Sequence, residues 1–112
     1  MPGDELQVLQ GTLDVLVLKT LSQGAQHGYA IARWIRDTTG DELRVEDRAL
    51  YVSLHRMEER GWIEAEWGVS DNNRRAKYYQ LTPEGRAALK AQAVTWERYA
   101  AAVFKVLRTD AA

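Results

Sequence analysis

Apolar side chains recur at helical spacing in four segments of the chain. The pattern predicts helices over about 9–22, 27–37, 47–60 and 82–108. The last of these starts with a threonine N-cap followed by proline at the first helical position, which is a favourable helix start. The first helix carries apolar residues on two faces, so two different neighbours must cover it.

Between the third and fourth predicted helices the period changes from helical to alternating. Apolar and acidic residues alternate over 62–67, which predicts a half-buried strand, and a second strand is predicted over 76–81. A turn-rich stretch joins the two strands into a hairpin with a polar tip. We expect Lys77 on the second strand to form a cross-strand charge pair with Glu64 or Glu66 on the first.

Three helices, a β-hairpin and a long terminal helix, in this order, predict a mainly α (α+β) fold, a winged helix-turn-helix with a two-stranded β wing. We expect this domain to span 9–81 and a C-terminal dimerisation helix to span 82–108. Apolar residues of that helix form a heptad seam: Leu89, Ala93, Trp96, Ala100, Val103 and Leu107. The helix is about 38 Å long, so its far half needs a partner, and we expect a homodimer.

Composition narrows the function classes. The chain has 112 residues, enough for one domain, and its lack of cysteine excludes disulfides, thiolate nucleophiles and cysteine-ligated metals. The histidines, His27 at a helix start and His55, lie in different predicted helices, and no catalytic motif occurs, so we expect no enzyme activity, cofactor or metal. Apolar runs such as that at 15–18 are too short to span a membrane, and the acidic N-terminus is unlike a secretory signal. We therefore expect no membrane partner and a cytoplasmic location.

The overall charge gives no sign of nucleic-acid binding, because the formal net charge is −1. The hairpin region differs: from Arg74 to Lys90 the net charge is +4. Cations and amides at a flexible tip suit the minor groove and adjacent phosphates, and the candidates are Asn73, Arg74, Arg75 and Lys77. The alternative interpretation is that these side chains only keep a polar turn solvated.

Four segments closely resemble the PadR-like transcriptional regulators: GTLDVLVLKTL at 11–21, HGYAIA at 27–32, ALYVSLHRMEERGWI at 49–63 and NNRRAKYYQLTPEGR at 72–86. The resemblance covers about 9–107 and is closest to compact members of the family, which have a single dimerisation helix. It implies a homodimeric, ligand-responsive repressor that binds a pseudo-palindromic operator in double-stranded DNA.

By this resemblance the helix over 47–60 is the recognition helix, whose N-terminal residues come nearest the base edges. The candidate contacts are Arg48, Tyr51, Val52 and His55. Members of the family often have Gly-Ser or Gly-Thr before the Leu-Tyr pair and proline after it. This chain has Arg48 and Ala49 before the pair and Val52 after it, so a relative's operator sequence does not transfer. Two alternatives remain open: a solvated helix face, or a winged-helix module that docks another protein instead of DNA.

Four tryptophans are many for a chain of this length. Core packing is the expectation for Trp34, Trp62 and Trp67. Trp96 lies on the heptad seam, and in some PadR-like regulators a tryptophan of this helix lines a pore between subunits that stacks flat aromatic molecules. The resemblance therefore implies a small aromatic effector bound by Trp96, Tyr99 and Val15. A closed, dry dimer core is one alternative, and a ligand-binding dimer with vestigial DNA affinity is another.

Overall fold

Four helices and five strands make up the computed structural model, which describes residues 6–7 and 11–110. The helices are α1 (Leu13–Leu21), α2 (Gly28–Thr38), α3 (Asp47–Glu59) and α4 (Pro83–Leu107). The strands are β1 (Leu6–Gln7), β2 (Gln26–His27), β3 (Leu43–Arg44), β4 (Ile63–Val69) and β5 (Arg75–Leu81). Their order confirms the α+β winged-helix fold expected from the sequence.

α1 begins later than its apolar pattern predicts. Gly11 has a positive φ of 92°, which glycine adopts without strain, and Thr12 caps the helix. The first helical residue is therefore Leu13. The predicted start, Leu9, lies outside the described residues.

α2 and α4 each begin at a side-chain cap. The His27 Nδ1 accepts a hydrogen bond from the Ala30 backbone N–H at 3.2 Å, so His27 starts α2 as predicted. The Thr82 hydroxyl accepts from the Gly85 N–H at 3.0 Å, and Pro83 occupies the first position of α4. Both caps lie at the ends of strands and fix where each helix leaves the sheet.

The hairpin of β4 and β5 forms the wing, and the short β2 adds a third strand at its base. The order is β2-β5-β4 with antiparallel pairing throughout, so the sheet is one strand wider than the predicted hairpin. Ile63 pairs with Leu81 and Ala65 with Tyr79, which places these residues on the core side of the sheet. β1 pairs in parallel with β3.

Lys77 faces α3 instead of the acidic residues of β4. The register places Lys77 opposite Trp67, while Glu64 and Glu66 lie on the other face of the sheet. Directly opposed residues share a face and successive residues alternate, so Lys77 cannot meet either glutamate. The predicted cross-strand charge pair is wrong. The Lys77 Nζ lies 3.5 Å from the Glu58 Oε1 of α3 instead.

The apolar core joins α1, α2, α3 and the sheet. Fully buried side chains come from each of these elements: Val17, Leu18, Leu21, Ile31, Ile35, Leu50, Leu54, Met57 and Ile63. Trp34 and Trp62 pack half-buried against this core, as expected. Trp67 is 57% exposed, so its prediction as a core residue is wrong. It lies toward the turn end of β4, where the Arg75 guanidinium covers its ring at 4.5 Å.

α4 is joined tightly to the base of the wing. The Thr82 N–H donates to the Trp62 carbonyl at 3.0 Å, and the Thr82 hydroxyl donates to the Gly61 carbonyl at 2.6 Å. Gly85 is buried at this joint, and a Cβ on it would lie 1.9 Å from the same Trp62 oxygen. The two backbones therefore approach too closely for any residue except glycine at this position.

α4 packs on α1 as far as the region of Trp96 and Tyr99, and its C-terminal part extends beyond the domain. The longest dimension of the structure is 59 Å, against 36 and 21 Å for the other two. Large apolar side chains of the far half are exposed: Trp96, Tyr99, Val103, Phe104, Val106 and Leu107. Within the described residues, Trp96 contacts Thr12 of the domain and the Arg108 guanidinium covers the Phe104 ring, but most of this apolar surface is open to a second molecule.

Candidate nucleic-acid interface

The solvent-facing side of α3 carries the predicted base contacts, which are Arg48, Tyr51, Val52 and His55. Tyr51 is 52% exposed and Val52 is 56% exposed, whereas Leu50 and Leu54 of the same helix are buried. The His55 Nε2 lies 3.7 Å from the Glu59 carboxylate in an exposed pair, which is worth little. All four side chains are therefore accessible on one continuous helix surface.

The turn between β4 and β5 shapes the wing tip. The Ser70 N–H donates to the Arg74 carbonyl at 2.7 Å, and the Ser70 hydroxyl donates to the Asn72 Oδ1 at 2.6 Å. Asn73 takes the left-handed conformation with φ of 61°, which asparagine tolerates better than most residues. Asn73 and Arg74 consequently lie at the exposed tip of the wing.

A groove of about 800 Å³ separates the wing from the first turns of α2 and α3. The charged side chains of its lining are four cations against one carboxylate, Asp71, and the cations are Arg33, Arg74, Arg75 and Lys77. Tyr51 lines the groove too, so one predicted α3 residue and three wing residues meet there. Arg48, Val52 and His55 lie on the adjoining α3 surface outside the groove. The arrangement places positive charge where a phosphodiester backbone can run between helix and wing.

Two further residues of this groove, Tyr29 and Arg33, are absent from the sequence prediction. Tyr29 is 70% exposed in the first turn of α2, and Arg33 follows one turn later with its Nε 3.7 Å from Asp37. Their i, i+4 spacing puts them on one helix face. The position of Tyr29 directly after the His27–Gly28 helix start was the signal in the sequence that could have indicated this part of the groove.

Gly28 lets Tyr51 lie against the start of α2. A Cβ on Gly28 would lie 2.5 Å from the Tyr51 hydroxyl oxygen and 2.8 Å from its Cζ, so the ring occupies the space that any other residue would fill. This contact sets the position of Tyr51 at the mouth of the groove.

Lys77 is held within the protein more firmly than the two arginines of the wing. Its ammonium lies 3.5 Å from Glu58 and 5.6 Å from the centre of the Tyr79 ring. Burial, with the nearby Glu58 and Tyr51, raises the pKa of Tyr79 above its ordinary value, so the phenol stays protonated beside this ion pair. A phosphate that binds Lys77 must compete with Glu58.

A second cavity, of about 510 Å³, lies between α1 and the middle of α4. Val15, Trp96 and Tyr99 all line it, so the structure brings together the three residues predicted to form an effector site. Val15 is buried in its wall. The Trp96 indole N–H donates to the Thr12 hydroxyl at 3.0 Å, which fixes the ring across the cavity.

Asp14 also lines this cavity, and its side chain contacts α3. Its Oδ1 accepts hydrogen bonds from the Ser53 hydroxyl and from the Arg56 Nη2, the latter at 2.6 Å. The hydrogen bond to Asp14 raises the pKa of Arg56 against the opposing effect of desolvation. Sequence analysis missed this cluster.

The heptad seam of α4 changes character along the helix. Leu89 packs against the core of its own domain, and Ala93 and Ala100 are half-buried. Beyond Ala100 the seam is open, with Val103 37% and Leu107 71% exposed. The exposed part of the seam therefore lies in the far half of α4.

Within residues 6–7 and 11–110, no group of three or more His, Cys, Asp or Glu residues is arranged to hold a metal ion. The helices of this same part of the chain are each too short or too polar to cross a bilayer.

Comparison with known proteins agrees with the geometry of the groove. The profile of the Transcriptional regulator PadR-like family matches residues 17–91. A transcriptional regulator from Clostridium thermocellum is 30% identical, with a TM-score of 0.77, 86% of this chain covered and 90% of that one. A PadR family transcriptional regulator from Eggerthella lenta is 31% identical, with a TM-score of 0.74 and 90% and 86% of the two chains covered. An uncharacterized protein from Lysinibacillus sphaericus is 32% identical over 90 residues, which is 80% of this chain and 82% of that one. The chain therefore belongs to the PadR-like family of transcriptional regulators, which are DNA-binding proteins and not enzymes.

Proposed function

We propose that this protein is a homodimeric, ligand-responsive transcriptional repressor that reads a pseudo-palindromic operator in double-stranded DNA. In this proposal residues 9–81 form the DNA-binding domain, residues 82–108 form the dimerisation helix, and the protein acts in the cytoplasm, where the DNA is. The observation that carries the proposal is the cationic groove between α3 and the wing, with the exposed face of α3 beside it.

α3 supplies the base contacts in this proposal. Its 13 residues give a rod about 20 Å long, which fits the major groove. Arg48, in the first turn, can bind the O6 and N7 of guanine, and the exposed Val52 can contact the methyl group of thymine. Tyr51 and His55 can bind phosphate or base edges.

The wing supplies the backbone contacts. Asn73 and Arg74 at the tip of the wing suit the minor groove of DNA. Arg75 and Lys77 line the groove of the protein between the wing and α3, farther from the tip. Arg75 is stacked on Trp67, which reduces the freedom that its guanidinium would lose on binding a phosphate. Glu58 lowers the contribution expected from Lys77, so the arginines should provide most of the salt dependence.

The open far half of α4 supports dimerisation through the seam of Ala93, Trp96, Ala100, Val103 and Leu107, with Leu89 at its base. A second copy of α4 carries the same apolar stripe, so a twofold contact covers both. Such a dimer would present its two recognition helices to successive major grooves, about 34 Å apart.

The cavity beside Trp96 supports a small aromatic effector. Trp96 and Tyr99 offer ring faces, and Val15 offers an apolar wall, in a space large enough for a molecule of a few fused rings. An effector that fits one subunit arrangement better than another would shift the spacing of the recognition helices and release the operator.

The test is a salt titration of binding to a duplex enriched by the protein from a random-sequence library, with a shuffled duplex of the same composition for comparison. Each phosphate contact contributes about −0.9 to the slope of log affinity on log salt. Replacing Arg74 and Arg75 by alanine should therefore make the slope of the dimer shallower by about 3 to 4 units. The matched control is Lys19→Ala with Arg60→Ala, which removes the same charge from exposed positions outside the lining of the groove and outside α4, and should leave most of the slope intact.

Two outcomes would contradict the proposal. An Arg74→Ala, Arg75→Ala protein that stays folded and keeps the full slope would remove the wing from the interface. Equal, weak binding of the wild-type protein to both duplexes would favour the protein-docking alternative for the α3 surface.

A further inference from the structure

Asp14 lies on the wall of the cavity beside Trp96 and also contacts α3, the helix proposed to read DNA bases. It lies in the first turn of α1, its side chain is 13% exposed, and it accepts hydrogen bonds from Ser53 and Arg56 of α3. Ser53 is 2% exposed, so its hydroxyl depends on this acceptor. The two α3 partners are three positions apart and therefore project from one side of the helix.

The rest of the contact between α3 and the domain is apolar. Leu50, Leu54 and Met57 pack into the core, and such contacts are non-directional. Hydrogen bonds to a nearly buried carboxylate are directional and lose strength steeply when bent or stretched. The cluster therefore adds to the apolar packing a directional restraint on the rotation and axial position of α3.

Val52 and His55 directly precede the two residues that Asp14 holds. A rotation of α3 about its axis that releases Ser53 and Arg56 moves both outward-facing side chains sideways along the DNA surface. Base readout depends on placing donors and methyl groups against particular base edges, whereas contacts to phosphate tolerate larger shifts.

We propose that Asp14 is a positioning residue for DNA recognition, which acts through Ser53 and Arg56 to fix α3 in the orientation that reads bases. This inference rests on the proposed function. It assigns a role to a residue that never touches DNA.

The sign of the effect separates positioning from electrostatics. Asp14→Asn removes a negative charge from a protein that binds a polyanion, so electrostatics alone predicts tighter binding to every duplex. Loss of position predicts the opposite for the enriched duplex: affinity falls about tenfold, while affinity for the shuffled duplex stays unchanged or rises. The ratio of the two affinities should therefore fall by about tenfold or more. Ser53→Ala changes no charge and should lower the same ratio by a smaller factor, since Arg56 still holds Asp14.

Asp41→Asn is the matched control. Asp41 forms an exposed carboxylate–arginine pair with Arg36 at 3.6 Å, and asparagine tolerates the positive φ of 65° at this position. It should leave the affinity ratio unchanged. Thermal unfolding of each variant establishes that it is folded at the assay temperature. If Asp14→Asn is not folded there, the affinity ratio of Ser53→Ala decides the test.

The outcomes are distinct. A lower affinity ratio for Asp14→Asn and Ser53→Ala, with the control unchanged, supports the inference. Folded variants that keep the wild-type ratio overturn it and leave the proposed function intact. A wild-type protein that does not distinguish the two duplexes overturns the proposed function and this inference together.

Discussion

Replacing Gly85 by alanine sets two physical effects of opposite sign against each other. In a helix, alanine is favoured over glycine by up to about 1 kcal/mol, because glycine loses more backbone freedom on folding. Gly85 lies in the first turn of α4, so propensity alone predicts a stabilised protein.

The structure predicts the reverse. The new Cβ would lie 1.9 Å from the Trp62 carbonyl oxygen and 3.2 Å from the Leu81 Cδ2. The first neighbour is backbone, so relief requires α4 to move by about 1 Å, and forced overpacking of this kind costs about 1–3 kcal/mol. The movement also stretches the two hydrogen bonds of Thr82 to Trp62 and Gly61, each worth about 1 kcal/mol. After the propensity gain is subtracted, we expect a net loss of about 2 kcal/mol or more in the free energy of unfolding.

Urea denaturation at one fixed protein concentration measures this loss as a lower transition midpoint with an unchanged slope. Ala87→Gly, at an exposed position of the same helix, gives the propensity difference without a close contact and should cost about 1 kcal/mol. A Gly85→Ala protein as stable as the wild type would refute the argument from close approach.

Two further predictions concern the proposed interfaces. In Gly28→Ala the new Cβ would contact the far end of the flexible Tyr51 side chain, so the free energy of unfolding should stay within about 1 kcal/mol of wild type while binding to the enriched duplex weakens. Thermal unfolding measures the stability and fluorescence anisotropy measures the affinity. Unchanged affinity would argue against a DNA contact by Tyr51. Val103→Glu with Leu107→Glu should convert a dimer to a monomer in sedimentation velocity, because paired carboxylates cannot be buried in an apolar seam. Val94→Glu, exposed off the seam, is its control, and an equal effect of both changes would place the interface elsewhere.

The periodicity of the sequence was enough to predict the order of the long elements and the outward face of α3. Apolar residues such as Leu50, Leu54 and Met57 repeat at helical spacing, and burial of that stripe leaves only one side of the helix for recognition. The alternation over 62–67 likewise predicted which side of β4 faces the core, although Trp67 on that side lies near the turn and is exposed.

Features that depend on long-range geometry could not be predicted. The partner of Lys77 follows from strand register, which depends on where the turn begins rather than on the composition of the strands. The Asp14–Arg56 contact joins residues 42 positions apart, and only the crossing of α1 and α3 brings them together. The short β2 pairs through its backbone, which leaves no signature in the side-chain pattern.

The joint at Gly85 also bears on how a dimer of this chain moves. The Thr82 N–H and hydroxyl both bond to the Gly61–Trp62 segment, and the Gly85 backbone packs directly against it. These contacts hold α4 rigidly against the winged-helix domain. In the proposed dimer, each winged-helix domain would then move together with its own α4. A small change in the angle between the two α4 helices would therefore move both α3 helices relative to the DNA. If the proposed dimer forms, we expect control of operator binding to act where the two α4 helices meet.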